Sequence, residues 1–337
     1  MSSAKDSLVL VTGASGYVAK HIIKHLLVTG HRVRGTVRSV KNEAKVRPIR
    51  ELHPKAKHPV ELVEADLLDA ESINKAVKGC TYVIHTASPV PAESQDEEFY
   101  IRPAVNGTLN VLRAAQAAGT VKRVVVTSSA VVTIGGIETQ PGRTYKEDHT
   151  PDPFNETKYP YPKSKAQAEK AALDFVKENK VGFDAIMLRL GMAVGPFTTN
   201  LPSPGEVIRD ILKGEKTPYF FMFIPVVDVR DAAIAHVNAM TAKLGDVTKI
   251  TLGTRSMWAG EYEPILRKEF EKQGYNISSF GHPDSERPVF ELTRMRDLLK
   301  VEPRPIDDAA VHMAYDIIES GLVEKTKKYK GHRLRQK

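Results

Sequence analysis

The sequence predicts an α/β protein: a doubly wound parallel sheet with a smaller C-terminal lobe. Three observations predict it. Apolar runs of strand length alternate with helix-period segments through the first half of the chain. The first run ends in a glycine turn that opens a helix, VTGASGYVA. Beyond Pro196 the alternation stops, and Pro and Gly cluster in PFTTNLPSPG.

SLVLVTG is a short apolar run closed by Gly13, which suits a buried parallel strand. In residues 17–30, Val18, Ile22, Ile23, Leu26 and Leu27 recur at helical spacing, and Gly30 supplies the stop. HRVRGTVR and VELVEADL read as the next two strands, and DAESINKAVKG as a helix with an Asp or Ser start. TYVIHTASP is a strand, NGTLNVLRAAQAAG a helix and VKRVVVTSS another strand. A long helix is expected over 162–179, followed by FDAIMLRLG as a sixth main strand. Repeated βα units require right-handed crossovers. Residues 1–196 are expected to form the sheet domain, with later segments returning to it. Residues 197–324 would form a mixed α/β lobe on the sheet edge, and 325–337 a basic tail.

Bulk composition narrows the possibilities. With 41% hydrophobic and 27% charged residues, the 337-residue chain has material for both a sizeable core and a soluble surface. The net charge of +8 first suggests nucleic acid, but seven of those charges lie in the final KTKKYKGHRLRQK. The other 324 residues carry only +1, so the tail reads as a solvated, frayed terminus and no nucleic-acid partner is expected. The single Cys80 excludes an internal disulfide and reads as a buried structural thiol. MSSAKDS has no apolar stretch, so no secretory leader is expected. The longest apolar run, residues 219–227, is far short of the ~20 needed to cross a bilayer. The expectation is a cytoplasmic protein without a membrane span or a metal, its state left open between monomer and homodimer.

The glycine turn carries the first chemistry. Gly13, Gly16 and Ala19 stand at three-residue spacing between a strand and a helix. Gly13 permits the turn, Gly16 leaves room for a diphosphate, and Ala19 lets the helix pack close to the sheet. The amides of Ser15, Gly16, Tyr17 and Val18 are the expected donors to that anion. This makes the sheet Rossmann-type. The second strand then selects the cofactor: residues 31–42 contain no acid for a ribose 2′-hydroxyl, whereas Arg38 and then Lys45 suit a 2′-phosphate. NADP(H) is therefore expected over NAD. Asp66 and Leu67, ending the third strand, are placed to meet the adenine, although a helix cap is the competing role for Asp66.

A second constellation follows. VVVTSS ends in Ser128 and Ser129, and YPYPKSKAQAEK comes about thirty residues later. A Tyr and a Lys four apart share a helix face. The ammonium is expected to lower the phenol's pKa so that the phenol can release its proton near neutral pH, and a serine hydroxyl can hold a carbonyl oxygen where charge develops. Tyr161 with Lys165, or Tyr159 with Lys163, meets that spacing, and strand alternation allows one of the two serines to face the cleft.

TGASGYVA, the DL pair, VIHTASP, VNGTLNVL, VVVTSSA, YPKSKAQAE, VGP and VVDVRDAAIAH follow one another in this order. The chain thereby resembles the extended short-chain dehydrogenase/reductases over about residues 7–240, and within them the dihydroflavonol 4-reductase-like branch of carbonyl, aldehyde and ketone reductases. The resemblance implies hydride delivery from NADPH, Tyr161 as general acid, Lys165 tuning it and binding the nicotinamide ribose, and Ser129 orienting the carbonyl. It implies that His85, Thr86, Ala87 and Ser88 line the cofactor, the last three nearest the nicotinamide. It also implies a substrate pocket formed by the C-terminal lobe, for a small carbonyl or alcohol.

Some features depart from that branch. Arg189, Leu190 and Gly191 replace an Asn-Pro-Gly sequence, NETKYPYPK replaces the cinnamoyl-CoA reductase signature, and AVVTIGG holds no Asn of the flavonoid enzymes. Plant substrates are demoted accordingly. Residues 219–223, Met222 included, are candidates for an apolar pocket wall. Asp228, Arg230 and Asp231 read as a charge cluster capping or pairing at a helix, His236 as a core histidine, and Asn106 as an amide holding backbone. Competing functions are a hydroxysteroid dehydrogenase, a sugar-nucleotide epimerase, and a non-catalytic NADP sensor.

Overall fold

The computed structural model describes residues 7–88, 97–150, 159–216, 221–278 and 283–332. Seven strands form one parallel sheet: β1 (Leu8–Thr12), β2 (Arg32–Val37), β3 (Glu61–Glu64), β4 (Tyr82–His85), β5 (Arg123–Ser129), β7 (Asp184–Leu190) and β10 (Lys249–Leu252), ordered β10-β7-β5-β4-β1-β2-β3. The Rossmann-type expectation is borne out. The order reverses between β1 and β4, which opens a crevice at their C-terminal ends.

Strand alternation supplies two cores. Val9, Val11, Ile84, Val125, Ile186 and Leu188 face one way, against α1 (Tyr17–Val28), α2 (Glu43–Arg50) and α8 (Val229–Ala239). Leu10, Val83, Val124, Val126 and Met187 face α3 (Ala70–Val77), α4 (Glu97–Ala118) and α6 (Pro160–Asn179) on the other side. Both faces are thus covered, which is why these strands read as continuous apolar runs. Helix α1 stops where expected: the amides of Gly30 and His31 fold back onto Leu27 and Leu26 carbonyls, and Gly30 takes φ +84°.

Several elements escaped the sequence reading. Helix α2 carries Pro48 inside it, and α4 reaches back to Glu97 across Pro103. Helix α6 starts at Pro160, with proline in its first turn. Strand β10, from the C-terminal half, completes the edge of the main sheet beside β7.

The rest of the C-terminal half forms a third core. Strands β8 (Met192–Val194), β9 (Phe223–Asp228) and β11 (Arg255–Trp258) make a small sheet beneath α7 (Ser203–Leu212), α9 (Tyr262–Phe270) and α11 (Ile306–Glu319). Short pieces complete the chain: α5 (Val131–Ile134), β6 (Thr144–Tyr145), β12 (Val289–Phe290) and α10 (Arg294–Asp297). The start of the tail is not frayed. Thr326 Oγ1 donates to the Gln273 carbonyl, Tyr329 donates to Glu319 at 2.8 Å, and His332 reaches Asp316 at 3.6 Å. Tyr329 of the tail packs against Tyr275 and Tyr315, the aromatic surface that holds it there. Residues 333–337 lie outside the described residues. Among the described residues, no helix is long and apolar enough to cross a membrane.

Candidate active site

The crevice is an open cleft of about 1930 Å³, bordered at one end by Arg38 and Lys45 and at the other by Ser129, Tyr161 and the third core. It is larger than the ~300–1,000 Å³ of a drug-sized pocket, so a dinucleotide and a second molecule can share it. Gly13, Ser15, Gly16, Tyr17, Val18, Asp66, Leu67, Thr86, Ala87, Ser88 and Lys165 all line it.

The glycine turn is held from two sides. Thr36 on β2 accepts the amides of Gly13 (to its hydroxyl, 3.0 Å) and Ala14 (to its carbonyl, 2.9 Å). Gly13 has φ +68°, and a Cβ there would sit 3.0 Å from that of Ala87, so the turn and the end of β4 touch. Gly16's amide closes the turn onto the Gly13 carbonyl at 2.9 Å, so it is not an outward donor as the sequence suggested. Tyr17 and Val18 begin α1, whose first amides have no intrahelical partner and point at the cleft with the positive end of the helix dipole. A glycine cradle without a Cβ, open first-turn amides and two exposed cations at the β2 end fit an NADP(H) molecule.

The β4 end is organised by Thr12. Its hydroxyl accepts the amides of Thr86 and Ala87, both at 3.1 Å, which leaves its proton for His85 Nδ1 at 2.9 Å. His85 Nε2 then donates to Thr108 at 3.2 Å. Burial pulls the His85 pKa down to about 3, with Lys165 adding to the shift. His85 is a sealed core histidine beneath the cleft, not a lining residue as the sequence reading had it; Thr86, Ala87 and Ser88 remain on the surface of the cleft. At the end of β3 Asp66 accepts the Leu68 amide at 2.8 Å, while Asp69 caps α3. Asn110, not the exposed Asn106, donates to the Leu67 carbonyl at 2.8 Å.

Strand alternation separates the two serines. Ser128 donates to Glu169 Oε2 at 2.6 Å, whereas Ser129 accepts the Val131 amide at 3.4 Å and lines the cleft together with Tyr161. Lys165, one turn along α6 and 8% exposed, holds its ammonium 5.9 Å from the Tyr161 ring centroid and donates to the Thr127 carbonyl at 3.3 Å. Burial pushes the Tyr161 phenol above its ordinary value, and the neighbouring Ser129 hydroxyl offsets only part of that. The sequence expectation of a lowered phenol is thus reversed by desolvation. Burial also pulls Lys165 down to about 8. The competing pair is spent on the rim: Tyr159 donates to Glu138 at 3.1 Å, and Lys163 pairs with Glu97.

The departures noted in the sequence have structural roles. Arg189 is fully buried and donates to Glu169, to the carbonyls of Glu147 and His149, and to the hydroxyls of Thr133 and Thr150. Thr133 is therefore turned to Arg189, and Val131 faces the cleft from α5. Gly191 is required by close approach: a Cβ there would lie 2.8 Å from the Leu252 carbonyl oxygen. The 219–223 aromatics divide. Phe223 is packed with Trp258 and Phe290, Met222 lines the cleft, and Tyr219 and Phe220 lie outside the described residues. Asp228 caps α8 and pairs with Arg230, Asp231 pairs with Arg304, and His236 is buried between Thr127 and the Ala232 carbonyl.

Fold and cleft together define a nucleotide-dependent enzyme of the short-chain dehydrogenase/reductase type. The chain belongs to the family described as "NAD dependent epimerase/dehydratase family", matched over residues 9–251, and within it to the extended, dihydroflavonol 4-reductase-like branch. It is 35% identical to a bifunctional dihydroflavonol 4-reductase/flavanone 4-reductase of Pyrus communis, over 88% of this chain and 86% of that enzyme. It is 43% identical to a dihydroflavonol 4-reductase of Hordeum vulgare, over 63% of this chain and 60% of that enzyme. Among solved structures, Gre2 of Candida albicans in complex with NADPH superposes with a TM-score of 0.79 at 27% identity, covering 93% of this chain and 99% of that one.

Proposed function

We propose that this protein is an NADPH-dependent reductase of small aldehydes or ketones, working reversibly on the corresponding alcohols. The observation that carries this reading is the Ser129–Tyr161–Lys165 grouping at one end of a cleft whose other end carries Arg38 and Lys45. NADPH, when bound, supplies the hydride that reduces the carbonyl carbon. Ser129 holds the carbonyl oxygen, and Tyr161 transfers its phenolic proton to that oxygen to give the alcohol. A phenol pushed up by burial keeps that proton at neutral pH, the form that reduction needs. The Lys165 ammonium stabilises the phenolate left behind and would hold the nicotinamide ribose of a bound cofactor.

Arg38 and Lys45 favour NADPH by pairing with its 2′-phosphate. Val131, Met192, Met222 and Ile224 give the substrate end an apolar wall, which suits an uncharged carbonyl compound. An epimerase that retains NAD fits less well with Arg38 at the end of β2. A non-catalytic sensor fits less well with both Tyr161 and Lys165 in place. The test is NADPH oxidation by the purified protein across aldehydes, diketones, flavanonols and steroids. Turnover of at least one carbonyl class is expected; NADPH binding with no turnover of any class would overturn the enzymatic reading.

A further inference from the structure

Lys20 stands one turn into α1, its amide bonded to the Gly16 carbonyl at 3.1 Å, and is only 6% exposed, yet it lies on the wall of the cleft that Gly13 and Gly16 also line. Its ammonium donates to the neutral hydroxyl of Thr199. Burial pulls its pKa down, and among the described residues no acidic group acts in the other direction. An ammonium taken out of water without a counter-ion is costly, so a cation of this kind on a cleft wall marks the place of an anion. Its neighbours on the same helix face fix the local geometry. Tyr17 donates to the Gly195 carbonyl at 3.0 Å, and His21 Nε2 donates to the Pro196 carbonyl at 2.8 Å. Segment 195–199 is thereby clasped to α1, and Thr199 holds the ammonium in place.

We propose that Lys20 binds the diphosphate of the dinucleotide, pairing with its oxygens next to the glycine turn while Thr199 holds the side chain toward the cleft. The backbone amides of a glycine turn recognise a diphosphate by partial charges; Lys20 adds a full one. Because the diphosphate is common to NADPH and NADH, Lys20 acts on both, unlike Arg38 at the 2′-phosphate end. This inference rests on the dinucleotide reading above.

The experiment is calorimetric titration of NADPH, NADH and 2′-AMP into the wild type, Lys20→Met and Thr199→Val, with no substrate present. Methionine keeps the apolar stem and removes the charge. Lys20→Met is expected to weaken NADPH and NADH by similar factors of about 10–100, the range for a lost hydrogen bond to a charged group. It should leave 2′-AMP, which lacks a diphosphate, unchanged, and Thr199→Val should lose much less. If Lys20→Met does not fold, Lys20→Gln carries the same expectations. Wild-type affinity for both dinucleotides in the Lys20 variant would overturn the proposal, as would a Thr199→Val variant that reproduces the whole loss. A wild type that binds neither dinucleotide would instead overturn the reading on which the proposal rests.

Discussion

The Arg189 guanidinium meets the Glu169 carboxylate at 2.5 Å, and neither side chain is more than 2% exposed. Glu169 follows Lys165 by one turn of α6 and also accepts from Ser128, the neighbour of Ser129. The pair therefore ties α6 to β5 and β7 directly behind the Tyr161/Lys165 face. Removing one partner of a buried ion pair leaves the other charged and desolvated. Arg189→Met should lower unfolding free energy by about 3–5 kcal/mol in urea denaturation. A loss below about 1 kcal/mol would show the pair to be dispensable.

Lys165 sets the pH dependence. Its pKa is pulled down to about 8 by burial, so its charged form is lost as pH rises through that value. Carbonyl reduction should therefore fall above about pH 8 in kcat/KM profiles. Alcohol oxidation needs the ionised phenol, which burial makes harder to form, so that direction should gain as pH rises. A reduction profile flat to pH 10 would contradict the assignment of Lys165.

Arg38 is exposed at the end of β2, on the border of the cleft. Arg38→Asp replaces a forked cation with an acid suited to a ribose hydroxyl. NADPH affinity should fall by at least about tenfold relative to NADH, as expected from losing a charge-assisted hydrogen bond. Fluorescence titration with both cofactors measures the ratio; an equal effect on the two would remove Arg38 from the 2′-phosphate.

Acid should destabilise the fold before most carboxylates titrate. Burial lowers His21 and His236 from 6.5 to about 4, and His85 from 6.5 to about 3. The unfolded chain takes up these protons as pH falls below 6.5 and the folded chain does not, so stability is full above that value and declines toward pH 4. Urea midpoints at pH 7, 6 and 5 should fall in sequence, and His236→Gln should make the fall shallower. Identical midpoints would mean that these histidines titrate normally.

How much of this was legible depended on sequence distance. The main strands, α1 and the glycine turn announce themselves because a buried parallel strand and a βα turn are local patterns. Helix α2 was hidden by Pro48, and the reach of α4 by Pro103, since an internal proline ordinarily argues against a helix. Strand β10 joins an edge made by residues far earlier in the chain, and the tail to His332 is held by aromatics of the third core; neither carries a local signal. At the site, the Tyr/Lys spacing and the serine pair were readable, but Glu169, Thr36 and Lys20 matter through contacts that span from 20 to 179 residues. Only the polarity of a residue on an otherwise core-facing helix could have singled out Lys20 or Glu169. The reversed shift of Tyr161 was not readable either, because it depends on how much water the folded cleft excludes.

The most direct test of the account is single-turnover reduction of a carbonyl substrate by NADPH-loaded Tyr161→Phe, compared with wild type at equal cofactor occupancy. Phenylalanine keeps the ring and removes the proton that Tyr161 is held to donate. The account predicts undiminished NADPH binding and a rate lower by about 10²–10⁴, the range for loss of a general acid. A Tyr161→Phe variant that reduces the substrate at the wild-type rate would contradict it.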